Sequence, residues 1–155
     1  MASARGEWSE AMASNVFQRM LIADDGSPDG EHAANVGVGL AAKVKAEVIL
    51  LGVVEPANVQ ADGEGLHVDD PANTRRMMEE RFERILTLGR SMGVTMMMEI
   101  VEGDPAEQIN KRAAADQVDL IVVGRRPISA VRRWFEGSTS DTVLRDSKCS
   151  VLVVR

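Results

Sequence analysis

Residues 48–54 (VILLGVV) are apolar throughout, interrupted only by Gly52. A strand with one face in water alternates apolar and polar side chains. A run without alternation therefore belongs to a strand covered on both faces, as at the centre of a parallel sheet. Parallel neighbours need long crossover connections, usually helices. The rest of the chain has to supply them.

Residues 17–23 (FQRMLIA) form a short apolar run ending in Asp24-Asp25-Gly26-Ser27, a strand followed by turn chemistry. Ser27 before Pro28 predicts an N-cap with proline at the first helical position. Ala33, Val36, Gly37, Leu40, Ala41 and Val44 then recur on one helical face. Residues 55–71 (EPANVQADGEGLHVDDP) carry Pro, Gly and Asp and predict a long loop. A helix over about 72–92 places Met78, Phe82, Ile85, Leu86 and Gly89 on one face, with Gly93 positioned to stop it. Residues 94–101 predict the third strand, Gly103-Asp104-Pro105 the start of a third helix, and 119–124 (DLIVVG) the fourth strand. A short helix over about 138–145 and a fifth strand at 150–155 (SVLVVR) complete the pattern. The expected class is α/β: one open, doubly wound parallel sheet of five strands with four helices and right-handed crossovers. Ligands bind such sheets beyond the C-terminal strand ends, where strand order reverses. Here that points to residues 23–27, 53–56, 101–105 and 124–127.

A length of 155 residues fits one domain, which we place at 16–155 behind a flexible extension at 1–15. Net charge is −6, a poor basis for nucleic-acid or anionic-membrane binding. The single cysteine, Cys149, excludes an internal disulfide and fits a reducing, cytoplasmic setting. No apolar run approaches the ~20 residues of a spanning helix, and residues 1–15 lack the apolar core of a signal peptide.

Several motifs carry little. Residues 37–42 (GVGLAA) match G-x-G-x-x-A, but they lie inside the first predicted helix rather than at a strand-to-helix turn, so we assign the glycines to close packing. There is no G-x-x-x-x-G-K-[ST] and no G-x-S-x-G. His32, on the first helix, and His67, in the predicted loop, lack metal-ligand spacing. Cys149 reads as a small buried hydrophobe, and Met96-Met97-Met98 as adaptable strand packing. Asp24-Asp25 at a strand end suits Mg²⁺, as in receiver domains, which the LIADD stretch resembles. Against this, Gly124 stands where the phosphoacceptor Asp belongs and Lys148 precedes the last strand. The competing reading is a solvated turn.

The segment 123–140 (VGRRPISAVRRWFEGSTS) carries the strongest signal. Gly137-Ser138-Thr139-Ser140 at a predicted helix start offers free N–H groups, hydroxyls and a positive helix end, the features that hold a phosphate. Arg125, Arg126, Arg132 and Arg133 add four positive charges within nine residues.

From about residue 17 to 155 the chain resembles the universal stress proteins. The likeness rests on LIADDGS at the first turn, VILLGVVEP, GDPAEQI, DLIVVGRR and the closing GSTSDTVLRDSKCSVLVVR. It implies strand order 3-2-1-4-5, an adenine nucleotide α-hydrolase-like fold, and a homodimer paired through the last strands. One branch of the family binds ATP through G-x2-G-x9-G-[ST]. Gly124, Gly137 and Ser138 match it; Pro127 replaces the middle glycine. Proline fixes φ and lacks the N–H that a glycine offers a phosphate. One lost charge-assisted hydrogen bond costs roughly 1.5–3 kcal/mol, about 10- to 150-fold in affinity. Arg125 or Arg126 is placed to replace part of it. The resemblance puts Asp25 at the ribose or adenine side, Ala23 and Val53 against the adenine, and Gly137, Ser138, Thr139 and Ser140 on the phosphates. Asp24, Val123 and Gly124 complete the expected site. The leading expectation is a dimeric stress-response protein binding ATP, with Mg²⁺, or a related adenine nucleotide. The alternatives are a ligand-free interaction module of the same family and a weak Mg²⁺-dependent ATPase. No general base stands out in the sequence.

Overall fold

The computed structural model describes residues 16–56, 59–62, 65–68, 70–125 and 139–155. Three helices start on a capping side chain followed by proline. Helix α1 (Pro28–Val44) begins behind Ser27, which accepts from the Gly30 N–H. Helix α2 (Pro71–Ser91) begins behind Asp70, which accepts from Ala72 and Asn73, and α3 (Pro105–Ala115) behind Asp104, which accepts from Glu107. Proline at the first position forfeits only an N–H that has no partner inside the helix, and its fixed φ suits the first turn. Gly93 follows the end of α2 with φ +73°, the left-handed conformation that ends helices.

The strands are β1 (Arg19–Asp24), β2 (Glu47–Val54), β3 (Val59–Asp62), β4 (Gly65–Val68), β5 (Met96–Glu102), β6 (Leu120–Gly124) and β7 (Ser150–Val154), with α4 (Thr139–Asp146) before the last. Five of them make one sheet in the order β5-β2-β1-β6-β7, with every pair parallel. Counting only the strands of that sheet, this is the expected order 3-2-1-4-5 with four helices. In β1, Met20, Leu21 and Ile22 are fully buried. Met20 and Ile22 face α1 and α2, meeting Ala34, Val38, Met78 and Phe82. Leu21 faces α3 and α4, meeting Ile109, Ala113 and Val143. Burying one such side chain stabilises the fold by about 1.5–3 kcal/mol, so these two layers dominate the core energy.

Residues 55–71 are not a long loop. They contain β3 and β4, paired antiparallel with Val59 opposite Val68 and Ala61 opposite Leu66. The alternation Val59-x-Ala61 and Leu66-x-Val68 around Gly63-Glu64 is a hairpin pattern, with glycine first in a two-residue connection. The density of Gly, Pro and Asp in this stretch hid it. His67 therefore sits on β4 rather than in a loop. The expectations for residues 1–15 and for Pro127 lie outside the described residues. Among the described residues no helix is long and apolar enough to cross a membrane.

Of the methionine run on edge strand β5, Met96 packs on Gly89 of α2, while Met97 and Met98 are exposed. Of the two glycines of the G-x-G stretch in α1, Gly37 is the packing residue. A Cβ there would lie 2.6 Å from Ile22 Cδ1, whereas one on Gly39 would meet nothing within 4 Å. Gly39→Ala should therefore raise stability by roughly 0.5–1 kcal/mol through helix propensity. Gly37→Ala should lower it by about 1–2 kcal/mol as Ile22 is displaced. Urea denaturation of the two variants checks this; equal shifts would contradict the packing.

Candidate functional site

The turn after β1 is held by its own side chains. Asp24, the last residue of the strand, is 2% exposed, and its Oδ1 accepts the Gly26 N–H at 2.9 Å. Gly26 has φ +83°, which glycine takes without strain. Asp25 is exposed; its Oδ1 accepts both the Ser27 N–H, at 2.9 Å, and the Ser27 hydroxyl. The end of β6 passes close to this turn. A Cβ on Gly124 would lie 2.6 Å from the Asp29 carbonyl oxygen, so the first turn of α1 leaves no room for a side chain there.

Above β1, β2 and β6 these elements enclose a cavity of about 230 Å³. It lies at the C-terminal strand ends beside the β1–β6 border, where the order of connection reverses. Ala23, Leu51, Val53, Val123 and Ile109 give it apolar walls. Asp24, Asp25, Ser27, Glu55 and Thr74 bring polar groups. Of the twelve residues expected at the site, Ala23, Asp24, Asp25, Val53, Val123 and Gly124 line this one space. Arg125 is exposed and outside the lining; its N–H donates to the Val154 carbonyl at 2.9 Å. Thr139 and Ser140 form the first turn of α4. Arg126, Gly137 and Ser138 lie outside the described residues.

Asp24 is not part of a solvated turn. Arg81 of α2, 12% exposed, places its Nε 3.0 Å from Asp24 Oδ2, a charge contact without an aligned hydrogen bond. Burial pushes the Asp24 carboxyl above the usual carboxylate range; the Gly26 N–H and the Arg81 charge pull the other way. With one oxygen on Gly26 and the other facing Arg81, Asp24 does not fit a paired-carboxylate Mg²⁺ site with Asp25. Among the described residues, no three His, Cys, Asp or Glu side chains are grouped to hold a metal ion. Cys149 is half-buried rather than buried. Burial, with Asp119 nearby, pushes its thiol up, away from the reactive thiolate.

A model of the universal stress protein family matches residues 17–155. The chain belongs to the universal stress protein family. A family relative from Staphylococcus haemolyticus is 30% identical over 141 residues, covering 90% of this chain and 85% of its own. A universal stress protein solved in complex with cAMP superposes with a TM-score of 0.67 at 24% identity, covering 90% of this chain and 97% of that one. The Archaeoglobus fulgidus universal stress protein solved with dAMP gives 0.63 at 15% identity, over 90% and 99%. These structures share the fold of this universal stress protein.

Arg81 was absent from the expected site, although the sequence marks it. It falls among Met78, Phe82 and Ile85 on the apolar stripe of α2, and a charge there needs a buried counter-charge. Because the folded Asp24 holds its proton more tightly than an unfolded aspartate does, acidification favours folding through this group. That contribution grows as pH falls through the folded pKa toward 3.8, the ordinary value. The stability of the native protein relative to Asp24→Asn should therefore increase between pH 7 and pH 4, as read by chemical denaturation. A decrease would mean that Arg81, not burial, dominates the carboxyl.

Proposed function

We propose that this universal stress protein binds an adenine nucleotide in the cavity at the β1–β6 border. One observation carries the reading: the cavity is lined together by Ala23, Asp25, Val53, Val123 and Gly124, contributed by three separate parts of the chain. Its apolar walls suit a base, and the Asp25 carboxylate suits the hydroxyls of a ribose. Its volume of about 230 Å³ lies just under the usual range for small-ligand pockets, roughly 300–1,000 Å³. That suits a nucleoside, with the phosphates outside and directed to the first turn of α4. The acidic lining reinforces this, because phosphates beside Asp24, Asp25 and Glu55 would be repelled. Family members solved with cAMP and with dAMP support the ligand class. ATP is the specific ligand we assign. Any Mg²⁺ would come with its phosphates, as Mg²⁺ usually does, rather than on Asp24 and Asp25.

The protein acts in this reading as a ligand-responsive binding protein of the cytoplasm, not as a robust catalyst. Asp24 faces Arg81 and Asp25 holds Ser27, so neither carboxylate is placed as a general base. The homodimer forms through β7, which pairs with β6 on one side and is the last strand of the sheet on the other. An apolar strand at an edge is a template for pairing with a second chain.

Titration calorimetry with Mg-ATP should show binding, and Asp25→Ala should weaken it by at least about tenfold, the effect of one charged hydrogen-bond partner. Pro127→Gly should tighten it. No heat at millimolar ATP with folded protein would overturn the reading in favour of the ligand-free interaction module. Sedimentation equilibrium should return twice the 16.8 kDa chain mass; a single-chain mass would remove the dimer.

A further inference from the structure

Arg81 makes more contacts than pairing with Asp24 requires. Its Nη1 donates to the Gly26 carbonyl at 2.7 Å, and its Nη2 to the Ser27 carbonyl at 2.6 Å. Nη2 also lies 3.4 Å from Glu31 Oε2 on α1, and Nε faces Asp24 at 3.0 Å. One planar guanidinium thus spans two consecutive carbonyls, a strand-end carboxylate and a helix carboxylate. The turn residues are pinned from the opposite side too: the Gly26 N–H goes to Asp24 and the Ser27 N–H to Asp25. The turn held in this way carries Asp25 into the cavity. Arg81 itself does not line the cavity.

We infer that Arg81 is a positioning residue for the ligand site: it fixes the Asp25–Ser27 turn so that the Asp25 carboxylate is set before ligand arrives. This rests on the nucleotide reading for its ligand, but not for its structural half. The fork matters as well as the charge. Lysine would keep a positive charge near Asp24, yet its point-like ammonium does not reproduce the two parallel donations to Gly26 and Ser27. Without them the turn samples other conformations, and binding must order it first.

Amide exchange of the ligand-free protein tests the structural half, and calorimetry with AMP as the probe tests the functional half. In Arg81→Met, exchange at Gly26, Ser27 and Gly30 should accelerate by about tenfold or more, and AMP affinity should fall by about the same factor. Arg81→Lys should restore most of the melting temperature while leaving the fast exchange at Gly26 and Ser27. If the methionine variant does not fold, the lysine variant alone decides. Arg76→Met, which removes an exposed ion pair with Glu80 on the same helix, should change neither reading. Exchange that rises evenly over α1 and α2, the mark of a general loss of stability, would overturn the inference. So would unchanged exchange at the turn, or unchanged AMP affinity despite a loosened turn. A native protein that takes up neither AMP nor Mg-ATP would overturn the nucleotide reading alone, and the ligand-free exchange would still decide whether Arg81 holds the turn.

Discussion

The middle of β1 leaves no side-chain face for water. With Met20, Leu21 and Ile22 fully buried, it must have a strand on each side and a layer of helix above and below. That requirement sends α1 and α2 to one face and α3 and α4 to the other. It also forces the chain to build outward from β1 in both directions. The crevice between β1 and β6 follows from this change of direction, and so does the place where a ligand can reach backbone and side chains at once. The site is thus a by-product of how the core is covered.

Much of this was legible in the residues. The unbroken apolar runs identified the buried strands, because a parallel strand without alternation has nowhere to go but the interior. Ser27-Pro28 and Asp104-Pro105 each mark a helix start, since the capping oxygen and the missing N–H of proline both suit that position; Asp70-Pro71 does the same for α2 but was read into the preceding loop. The hairpin β3–β4 was not legible by composition. Four residues per strand carry little periodic signal, and turn-forming residues on both sides masked it.

The site was legible where it depends on strand ends, and not where it depends on a distant helix. Ala23, Val53, Val123 and Gly124 follow from topology once the strands are known. Asp24 was expected there too, but its burial was not, because adjacent carboxylates in a turn read as solvent-exposed unless a cation is known to be nearby. That cation comes from α2, and Arg81 sits 57 residues downstream of Asp24. Its position on an apolar stripe was a clue, but pairing the two required the packing of α2 against the β1–α1 turn. Gly124 was expected at the site as the first glycine of the family's nucleotide motif. The structure shows a further demand on it, the backbone of Asp29.

The hairpin between β2 and α2 has a consequence for divergence within the fold. It leaves the cavity rim at Val54 and Glu55 and returns at Pro71, all three of which line the ligand space. The strands in between pair with each other as a two-stranded sheet separate from the main one. Such a segment is a modular graft. Its length and chemistry can change from one lineage to another without breaking a strand pairing of the main sheet, while both of its anchors stay at the mouth of the site. Evolution can then retune what enters the cavity at little cost to folding, leaving the sheet as a constant chassis beneath it.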